Sequence, residues 1–205
     1  MSADPRRSAL VDARVTDAPQ STGPDAVVAD APHPDPTRID IAVDPTRQRM
    51  VGVTAHGLHE FDVPFVSEIA DNLWLGGCED GLVLPDFIDH VVSLYPWESY
   101  EVRHRLRSRT EVRMLDSVDQ GFEQVDELAA WVNECRTTGP VLVHCQAGLN
   151  RSSLVAARAL MLAGSTADDA IATLRQRRSP ACLCNPSFEG WLRALDGDRP
   201  PTAAS

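Results

Sequence analysis

The sequence predicts an α/β fold, and three features of the chain indicate it. Residues 141–143, Val-Leu-Val, are a β-branched and aliphatic run that is typical of a short buried strand. After a glycine-containing loop, residues 152–163 are apolar on nearly every face, which predicts a buried helix. Residues 61–65 alternate between apolar and other side chains, as in a half-buried strand. Strand and helix patterns therefore occur together in a chain of single-domain size.

The other elements follow from periodicity and from turn residues. Apolar residues at helical spacing after residue 121 predict a helix, and Thr166 with Asp169 has the spacing of a helix-capping box. In chain order, the further predictions are a strand pair ending in the glycine turn of residues 73–77 (LWLGG), a short helix at 82–89, a buried strand at 90–96, a strand at 112–115, a helix at 121–136, a helix after Thr166 and a last helix opening at Asn185.

Length and composition divide the chain into a domain and two tails. At 205 residues the chain is long enough for one domain of about 150 residues plus a tail. Residues 1–50 contain no aromatic residue, and six of the fifteen prolines lie before residue 37, so this part has too little apolar surface to offset the entropy of ordering. We therefore expect a flexible tail at 1–50, a domain at 51–197 and a short C-terminal tail at 198–205.

Charge and cysteine content limit the partners and the compartment. A net charge of −11 repels polyanions, so we expect neither nucleic acid nor an anionic membrane surface as a partner. No apolar run approaches the roughly 18 residues of a membrane span, and no export signal precedes the domain. Five dispersed cysteines fit reduced thiols better than a disulfide framework. We expect a cytoplasmic protein that acts as a monomer.

One segment, residues 141–153 (VLVHCQAGLNRSS), carries the strongest functional signal. Cys145 follows the predicted strand, Arg151 opens the predicted helix, and five residues lie between them. The backbone N–H groups of such a loop and of the first helical turn have no partners within the helix and lie at the positive end of its dipole. The segment therefore predicts an anion-binding loop with a thiol at its base.

The two side chains suit phosphoryl transfer. A thiol at a helix N-terminus beside a guanidinium has its pKa lowered below the usual value of about 8.5, so a thiolate exists near neutral pH. A guanidinium presents a planar pair of donors to two phosphate oxygens. We therefore expect Cys145 to attack phosphorus while Arg151 and the loop amides bind the phosphate oxygens. The alternative is a buried structural cysteine beside an unrelated arginine.

Residues 144–152, HCQAGLNRS, resemble the His-Cys-x5-Arg-Ser/Thr signature of the cysteine-based phosphatases, the protein tyrosine and dual-specificity enzymes. The LWLG strand and the segment from Asn185 are similar to further elements of that family, so the resemblance spans about residues 60 to 195. It implies a single phosphatase domain in which a central mixed, mostly parallel sheet is flanked by helices. It also implies a metal-independent phosphomonoester hydrolase that forms a phosphocysteine intermediate and needs no cofactor.

The resemblance also implies roles for individual residues. Cys145 corresponds to the nucleophile, and Ser152 to the hydroxyl that helps the thiolate leave in the second step. His144 corresponds to the residue that orients the loop, and Asn185 to the one that supports it from behind. The expected phosphate-binding residues are Gln146, Ala147, Gly148, Leu149, Asn150 and Arg151.

The general acid is predicted at Asp116, with Asp119 as the second candidate. In the family this residue is an Asp on a loop about 30 residues before the cysteine. Asp116 lies 29 residues before Cys145, and Asp119 lies 26 residues before it. A carboxyl group there would protonate the leaving oxygen. Asp119 is the better candidate for an acidic residue at the start of the following helix.

The substrate class follows less directly from the sequence. Phosphoinositide phosphatases of the superfamily carry extra basic residues in this loop, whereas the side chains between Cys145 and Arg151 are neutral, so the resemblance disfavours a phosphoinositide. Residues 149–152 resemble RNA 5′-phosphatases of the superfamily, but Gln146 and Ala147 do not. Phosphotyrosine and phosphoserine or phosphothreonine in proteins are the favoured substrates. A catalytically weak phosphoprotein-binding module is the alternative function, and half of a zinc site at Cys182 and Cys184 is a disfavoured one.

A dense basic run, Arg103 to Arg113, allows two interpretations. It is either a solvated edge balanced by acidic residues, which we favour, or a substrate-docking patch.

Overall fold

The computed structural model of the protein describes residues 33–97 and 100–197. Within these ranges the chain forms eight strands and four helices. The strands are β1 (Ile41–Asp44), β2 (Arg49–Val53), β3 (Glu60–Pro64), β4 (Val66–Ala70), β5 (Leu73–Gly76), β6 (His90–Ser93), β7 (Ser108–Glu111) and β8 (Val141–His144). The helices are α1 (Val125–Arg136), α2 (Arg151–Leu162), α3 (Ala167–Arg177) and α4 (Pro186–Gly197). Residues 1–32 and 198–205, which the sequence analysis assigned to tails, lie outside the described residues.

The larger sheet has five strands in the order β4-β5-β8-β6-β7. β4 runs antiparallel to β5, whereas β8 pairs in parallel with both β5 and β6, and β7 in parallel with β6. The predicted α/β fold with a mixed, mostly parallel sheet is therefore confirmed.

The central strand β8 sets the position of the Cys loop. All four residues of β8 are buried, as the apolar run at 141–143 requires when a strand is covered on both faces. In the register, His144 lies opposite Gly76 of β5 and Ser93 of β6. Since parallel strands end at a common edge, Cys145 leaves the sheet at the carboxyl edge, where ligands of open α/β sheets bind.

Helix α2 is the central helix of the domain. Ten of its twelve residues are buried, and it packs against α1, α3 and α4 as well as β5 and β8. Burial of this kind agrees with its apolar sequence and gives the Cys loop a rigid support. The predicted cap of the next helix is also present, since the Thr166 hydroxyl accepts a hydrogen bond from the Asp169 N–H at 3.1 Å.

In residues 33–97 and 100–197, no helix combines the length and apolar character needed to cross a membrane.

The smaller sheet corrects the expected N-terminal boundary. β1, β2 and β3 form an antiparallel sheet in that order, and Met50 of β2, which faces Val63 of β3, is completely buried. Residues 35–50 are thus part of the folded domain and not of a flexible tail. The prediction was wrong because composition was averaged over fifty residues, whereas the few apolar residues at 39–50 alternate and can pack as strands.

Three local predictions were also wrong. Residues 82–89 form no helix, because Pro85 interrupts them and the Leu84 N–H instead donates to the Glu101 carbonyl at 2.9 Å. The strand expected at 112–115 ends earlier, at Glu111 of β7. Helix α1 begins at Val125 rather than 121, with Gln124 at its N-cap, so Asp119 does not cap it.

Candidate active site

The Cys loop, residues 145–151, connects β8 to the first turn of α2 and is buried throughout. Gly148 has a φ of +74°, and a Cβ there would collide with the carbonyl group of Gly76 and the guanidinium of Arg178. This position therefore requires glycine. The tight loop brings Cys145 and Arg151 to the same side of the helix N-terminus, as the sequence spacing indicated.

The Cys145 thiol lies in an environment that favours the thiolate. Its Sγ is 3.4 Å from the Ser152 hydroxyl, and the backbone N–H groups of Ser152 and Leu149 donate to it. Burial raises the pKa of Cys145, but the positive charge of Arg151 and these hydrogen bonds lower it more, so the net shift is downward. The surroundings of Cys145 therefore favour its ionised form, and the Ser152 hydroxyl lies within hydrogen-bonding distance of the sulfur.

Arg151 faces into the same cavity and is almost completely buried. Its Nη1 donates to the Asp35 carboxylate at 2.8 Å and to the Met114 carbonyl at 3.1 Å. The guanidinium carbon lies 4.9 Å from the centre of the Tyr95 ring, in a cation–π contact that fixes its plane. Among the residues that the structure describes, none accepts a hydrogen bond from Arg151 Nε.

The structure brings Asp116, and not Asp119, to the Cys loop. Asp116 lines the cavity that contains Cys145, and its carboxylate accepts hydrogen bonds from Asn185 at 3.0 Å and from Asn150 at 2.8 Å. His56 approaches from the β2–β3 connection, with Nε2 3.3 Å from the carboxylate. Asp119 instead lies on an exposed turn beside a separate surface groove.

Asn185 and Arg178 support the loop from behind. Asn185 is completely buried and also donates its backbone N–H to the Asn150 side chain at 3.2 Å. The buried guanidinium of Arg178 donates to the carbonyl groups of Gly148 at 2.7 Å and Ala147 at 2.9 Å. Burial lowers the pKa of Arg178 to about 10, so it stays positively charged at neutral pH. Arg178 was not among the site residues predicted from the sequence.

His144 contributes packing and no charge. Its ring is completely buried and contacts the Tyr100 ring edge-on at 5.1 Å. Burial, reinforced by the positive charges of Arg109 and Arg151, lowers the pKa of His144 to about 3. The imidazole is therefore neutral at physiological pH, and Arg151 is the cation that stabilises the thiolate.

Gln146 has a contact that the sequence analysis missed. Its side chain binds the backbone of Ile39, accepting from the N–H at 3.0 Å and donating to the carbonyl at 2.7 Å. It also donates to Glu79 at 3.0 Å. The segment around Ile39 consequently lies over the Cys loop, and the cavity left above Cys145 measures about 10 Å³, roughly the room that one water molecule needs.

The remaining candidates lie outside this cavity. Cys184 contacts the Asn150 side chain at 3.2 Å, while Cys182 is completely buried. Throughout the described ranges, no group of three or more His, Cys, Asp or Glu side chains is arranged to hold a metal ion. The basic run, Arg103 to Arg113, contains the edge strand β7. Its ion pairs support the solvated-edge interpretation: Arg103 with Glu101, Arg107 with Asp89, and Arg109 with Glu111.

Comparisons with known structures identify the same fold. A mouse putative dual specificity phosphatase complexed with zinc tungstate matches with a TM-score of 0.55 and 19% identity, over 65% of this chain and 87% of that one. Human DUSP28 matches with a TM-score of 0.55 and 18% identity, over 65% and 94%. The human tyrosine phosphatase-like serine/threonine/tyrosine-interacting protein matches with a TM-score of 0.53 and 20% identity, over 64% and 95%. No curated protein sequence matches the chain.

The family model of the dual specificity phosphatase catalytic domain matches residues 86–197, which is more than half of the chain. The matched region contains Asp116, Cys145 and Arg151, whereas β1 to β5 lie before it. With the activated thiol and its arginine at the start of α2, the chain belongs to the dual specificity phosphatases, the cysteine-based protein phosphatases that share this catalytic domain.

Proposed function

We propose that the enzyme removes phosphate from phosphotyrosine and from phosphoserine or phosphothreonine in proteins through a phosphocysteine at Cys145. The observation that carries this proposal is the meeting of Cys145, Arg151 and Asp116 at one cavity, with the Ser152 hydroxyl 3.4 Å from the sulfur. Each of the three has a chemical task there. Cys145 and Arg151 lie at the two ends of the Cys loop, and Asp116 lies on the loop after β7. The absence of any of them from the cavity would leave the reaction incomplete.

In the first step, the Cys145 thiolate attacks phosphorus while the bond from phosphorus to the leaving oxygen breaks. Arg151 and the loop N–H groups bind the phosphate oxygens, whose charge they stabilise in the transition state. Asp116, when protonated, donates its proton to the departing alkoxide or phenoxide of the substrate. Asn185 and Asn150 hold the Asp116 carboxyl group in one orientation for this transfer.

In the second step, water attacks the phosphocysteine. Asp116, now ionised, takes a proton from that water, and the sulfur–phosphorus bond breaks to release inorganic phosphate. The Ser152 hydroxyl donates to the sulfur as it regains its negative charge, which makes the thiolate a better leaving group. The residues named here carry out both steps, and the proton taken from water returns Asp116 to its protonated form for the next cycle.

The electrostatics of the loop support a substrate with a single phosphate group. Gln146, Ala147, Leu149 and Asn150 carry no charge, so Arg151 is the cation of the loop itself. The net charge of −11 disfavours nucleic acids and anionic lipids at longer range. We propose phosphorylated proteins as the partners, and a monomeric enzyme in the cytoplasm, where its five free cysteines stay reduced.

A phosphoprotein-binding module is the second function that we weighed. One structural neighbour is by name a phosphatase-like interacting protein. In this chain the nucleophile, the arginine and the acid are all present, and the thiol is activated by Arg151, Ser152 and Leu149. A module that only binds phosphate has no need of an activated thiolate, so catalysis is the better supported function.

The test is release of phosphate from para-nitrophenyl phosphate without added metal. We expect hydrolysis by the full chain, and a loss of about 10³-fold or more in Cys145→Ser, because the hydroxyl is a far weaker nucleophile than the thiolate. Cys145→Ser should still bind orthovanadate. Phosphopeptides, phosphoinositides and nucleotides are then compared as substrates. A Cys145→Ser variant as active as the natural chain would refute the mechanism.

A further inference from the structure

The N-terminal latch, residues 35–40, lies over the Cys loop and is held there by three groups of contacts. The Asp35 carboxylate is completely buried and accepts from Arg151 Nη1 at 2.8 Å. The Thr37 hydroxyl accepts from the Asp116 N–H at 3.0 Å and donates to the Asp35 carboxylate at 2.6 Å. The Ile39 backbone is bound at both polar atoms by Gln146. The latch thus contacts the cation, the acid loop and the Cys loop together.

The Asp35 carboxylate occupies the position that a substrate phosphate needs. Arg151 is the cation of the Cys loop, and an anion bound to its Nη1 at 2.8 Å prevents a phosphate oxygen from binding there. The cavity left above Cys145, about 10 Å³, has room for a water molecule and not for a phosphate group. With the latch in this position, the site cannot hold a phosphorylated side chain.

We propose that the latch is an intramolecular pseudosubstrate, in which Asp35 competes with the substrate phosphate for Arg151 and must leave the cleft before a phosphoprotein can bind. This regulation rests on the proposed phosphate-binding role of the Cys loop. The latch lies outside residues 86–197, the part of the chain that the family model matches.

The bonding at Arg151 explains how a phosphate can displace the latch. Asp35 engages one terminal nitrogen of Arg151, and none of the described residues accepts from its Nε. A phosphate dianion has more charge and more acceptor oxygens than a carboxylate, so it can bind both edges of the guanidinium. The Ile39 backbone is held by a side chain and not by a strand ladder, so release of the latch breaks no sheet.

The chain contains a matched control for the latch. The sequence Asp-Pro-Thr-Arg occurs at 35–38 and again at 44–47. In both copies the Asp carboxylate accepts from the Thr N–H two residues later, at 2.8 Å for Thr37 and 3.0 Å for Thr46. The two turns share this hydrogen bond, but the hydrogen bonds of the second copy lie on the exposed surface between β1 and β2. In the first copy, the Asp35 carboxylate also accepts from Arg151 Nη1 at 2.8 Å.

The first experiment compares Asp35→Ala and Asp44→Ala in the full chain. For Asp35→Ala we expect the KM for para-nitrophenyl phosphate and the inhibition constant of inorganic phosphate to fall by about ten-fold, as when a binding-competent state rises from a tenth of the population to nearly all of it. The kcat should stay within about two-fold, because binding and not chemistry is affected. Asp44→Ala should match the natural chain. Unchanged constants in Asp35→Ala, or a lower kcat, would overturn the proposal.

Hydrogen exchange tests the same proposal without removing Asp35. In the full-length Cys145→Ser variant, the Ile39 and Asp116 amides, which donate to Gln146 and Thr37, should exchange faster at saturating inorganic phosphate. The Thr46 amide is the internal control. Protection of Ile39 that persists when phosphate is bound would refute the latch. A chain that releases the latch on binding phosphate but hydrolyses no phosphomonoester would refute the proposed function and leave the latch standing.

Discussion

The Asn185 side chain donates a hydrogen bond of 3.0 Å to the Asp116 carboxylate and so joins two loops that are 69 residues apart in the sequence. Asn185 directly precedes α4 and is completely buried, so it cannot follow a moving loop. Asn150 of the Cys loop holds the second carboxylate oxygen at 2.8 Å. The orientation of the Asp116 carboxylate is therefore set jointly by the start of α4 and by the Cys loop.

Replacing Asn185 by Ala should slow the protonation of poor leaving groups. The Asp116 carboxyl group loses one of two orienting donors, and we expect kcat to fall by about ten-fold for alkyl phosphates and little for activated aryl phosphates. A leaving-group series at constant pH measures this. Asn133→Ala is the control, because the Asn133 amide donates to the Ala159 carbonyl between α1 and α2. Equal slowing across the series would contradict an orienting role.

Asp116 and Asp119 are distinguished by the same series. Asp116→Ala removes the proposed proton donor, so hydrolysis of substrates with poor leaving groups should fall by about 10²-fold or more. Asp119→Ala changes an exposed turn beside a separate groove and should leave the series unchanged. If Asp119→Ala produces the leaving-group dependence and Asp116→Ala does not, the assignment of the acid is wrong.

Arg178 should be essential to the stability of the Cys loop. In Arg178→Met the carbonyl groups of Ala147 and Gly148 lose their donors in a buried site, and we expect the free energy of unfolding to fall by about 3 kcal/mol. Arg193→Met is the control, because Arg193 is half-exposed and pairs with Glu189 at the surface, where a loss of less than about 1 kcal/mol is usual. Urea denaturation measures both. Equal losses in the two variants would argue against a stabilising role of the Arg178 hydrogen bonds to the Cys loop.

The pH dependence of alkylation tests the activation of Cys145. Because the pKa of Cys145 is lowered, its reaction with iodoacetamide should reach half of its maximal rate below the usual thiol value of about 8.5. Removing the charge in Arg151→Ala should move this midpoint upward. Cys135 serves as an internal reference, since burial raises its pKa to about 11. If the midpoint pH of alkylation is the same in Arg151→Ala as in the natural chain, another group stabilises the thiolate.

The position of the Cys loop between a strand and a helix was predictable because its information is local. Cys145, Arg151 and Ser152 lie within eight residues, and the strand and helix around them have clear hydrophobic patterns. The sheet followed from the same patterns and from the family resemblance. Asp116 was chosen as the candidate acid through its spacing from Cys145, although the strand thought to precede it ends five residues earlier, at Glu111. That choice therefore depended on the resemblance and not on the local element.

The contacts of the latch were not predictable, because they are long-range. Asp35 meets Arg151 across 116 residues and Gln146 meets Ile39 across 107, and no periodicity links such partners. The composition also predicted a flexible tail in place of the latch, since the proline and aspartate residues before residue 37 are typical of disorder. Gln146 was assigned to phosphate by its position in the loop, whereas its side chain turns toward Ile39 and Glu79.

The contact between Arg151 and Tyr95 has an optical consequence. The Tyr95 ring lies under the Arg151 guanidinium and contacts the Trp97 ring edge-on at 5.1 Å between ring centres. The Arg113 guanidinium lies over the Trp97 ring, 5.1 Å from its centre. The fluorescence of an indole depends on nearby charges and rings. Trp97 contacts Tyr95, and Tyr95 contacts Arg151, the residue proposed to bind the phosphate. We therefore expect phosphate binding to change the fluorescence of Trp97, and Trp97→Phe should abolish that change while the other three tryptophans remain.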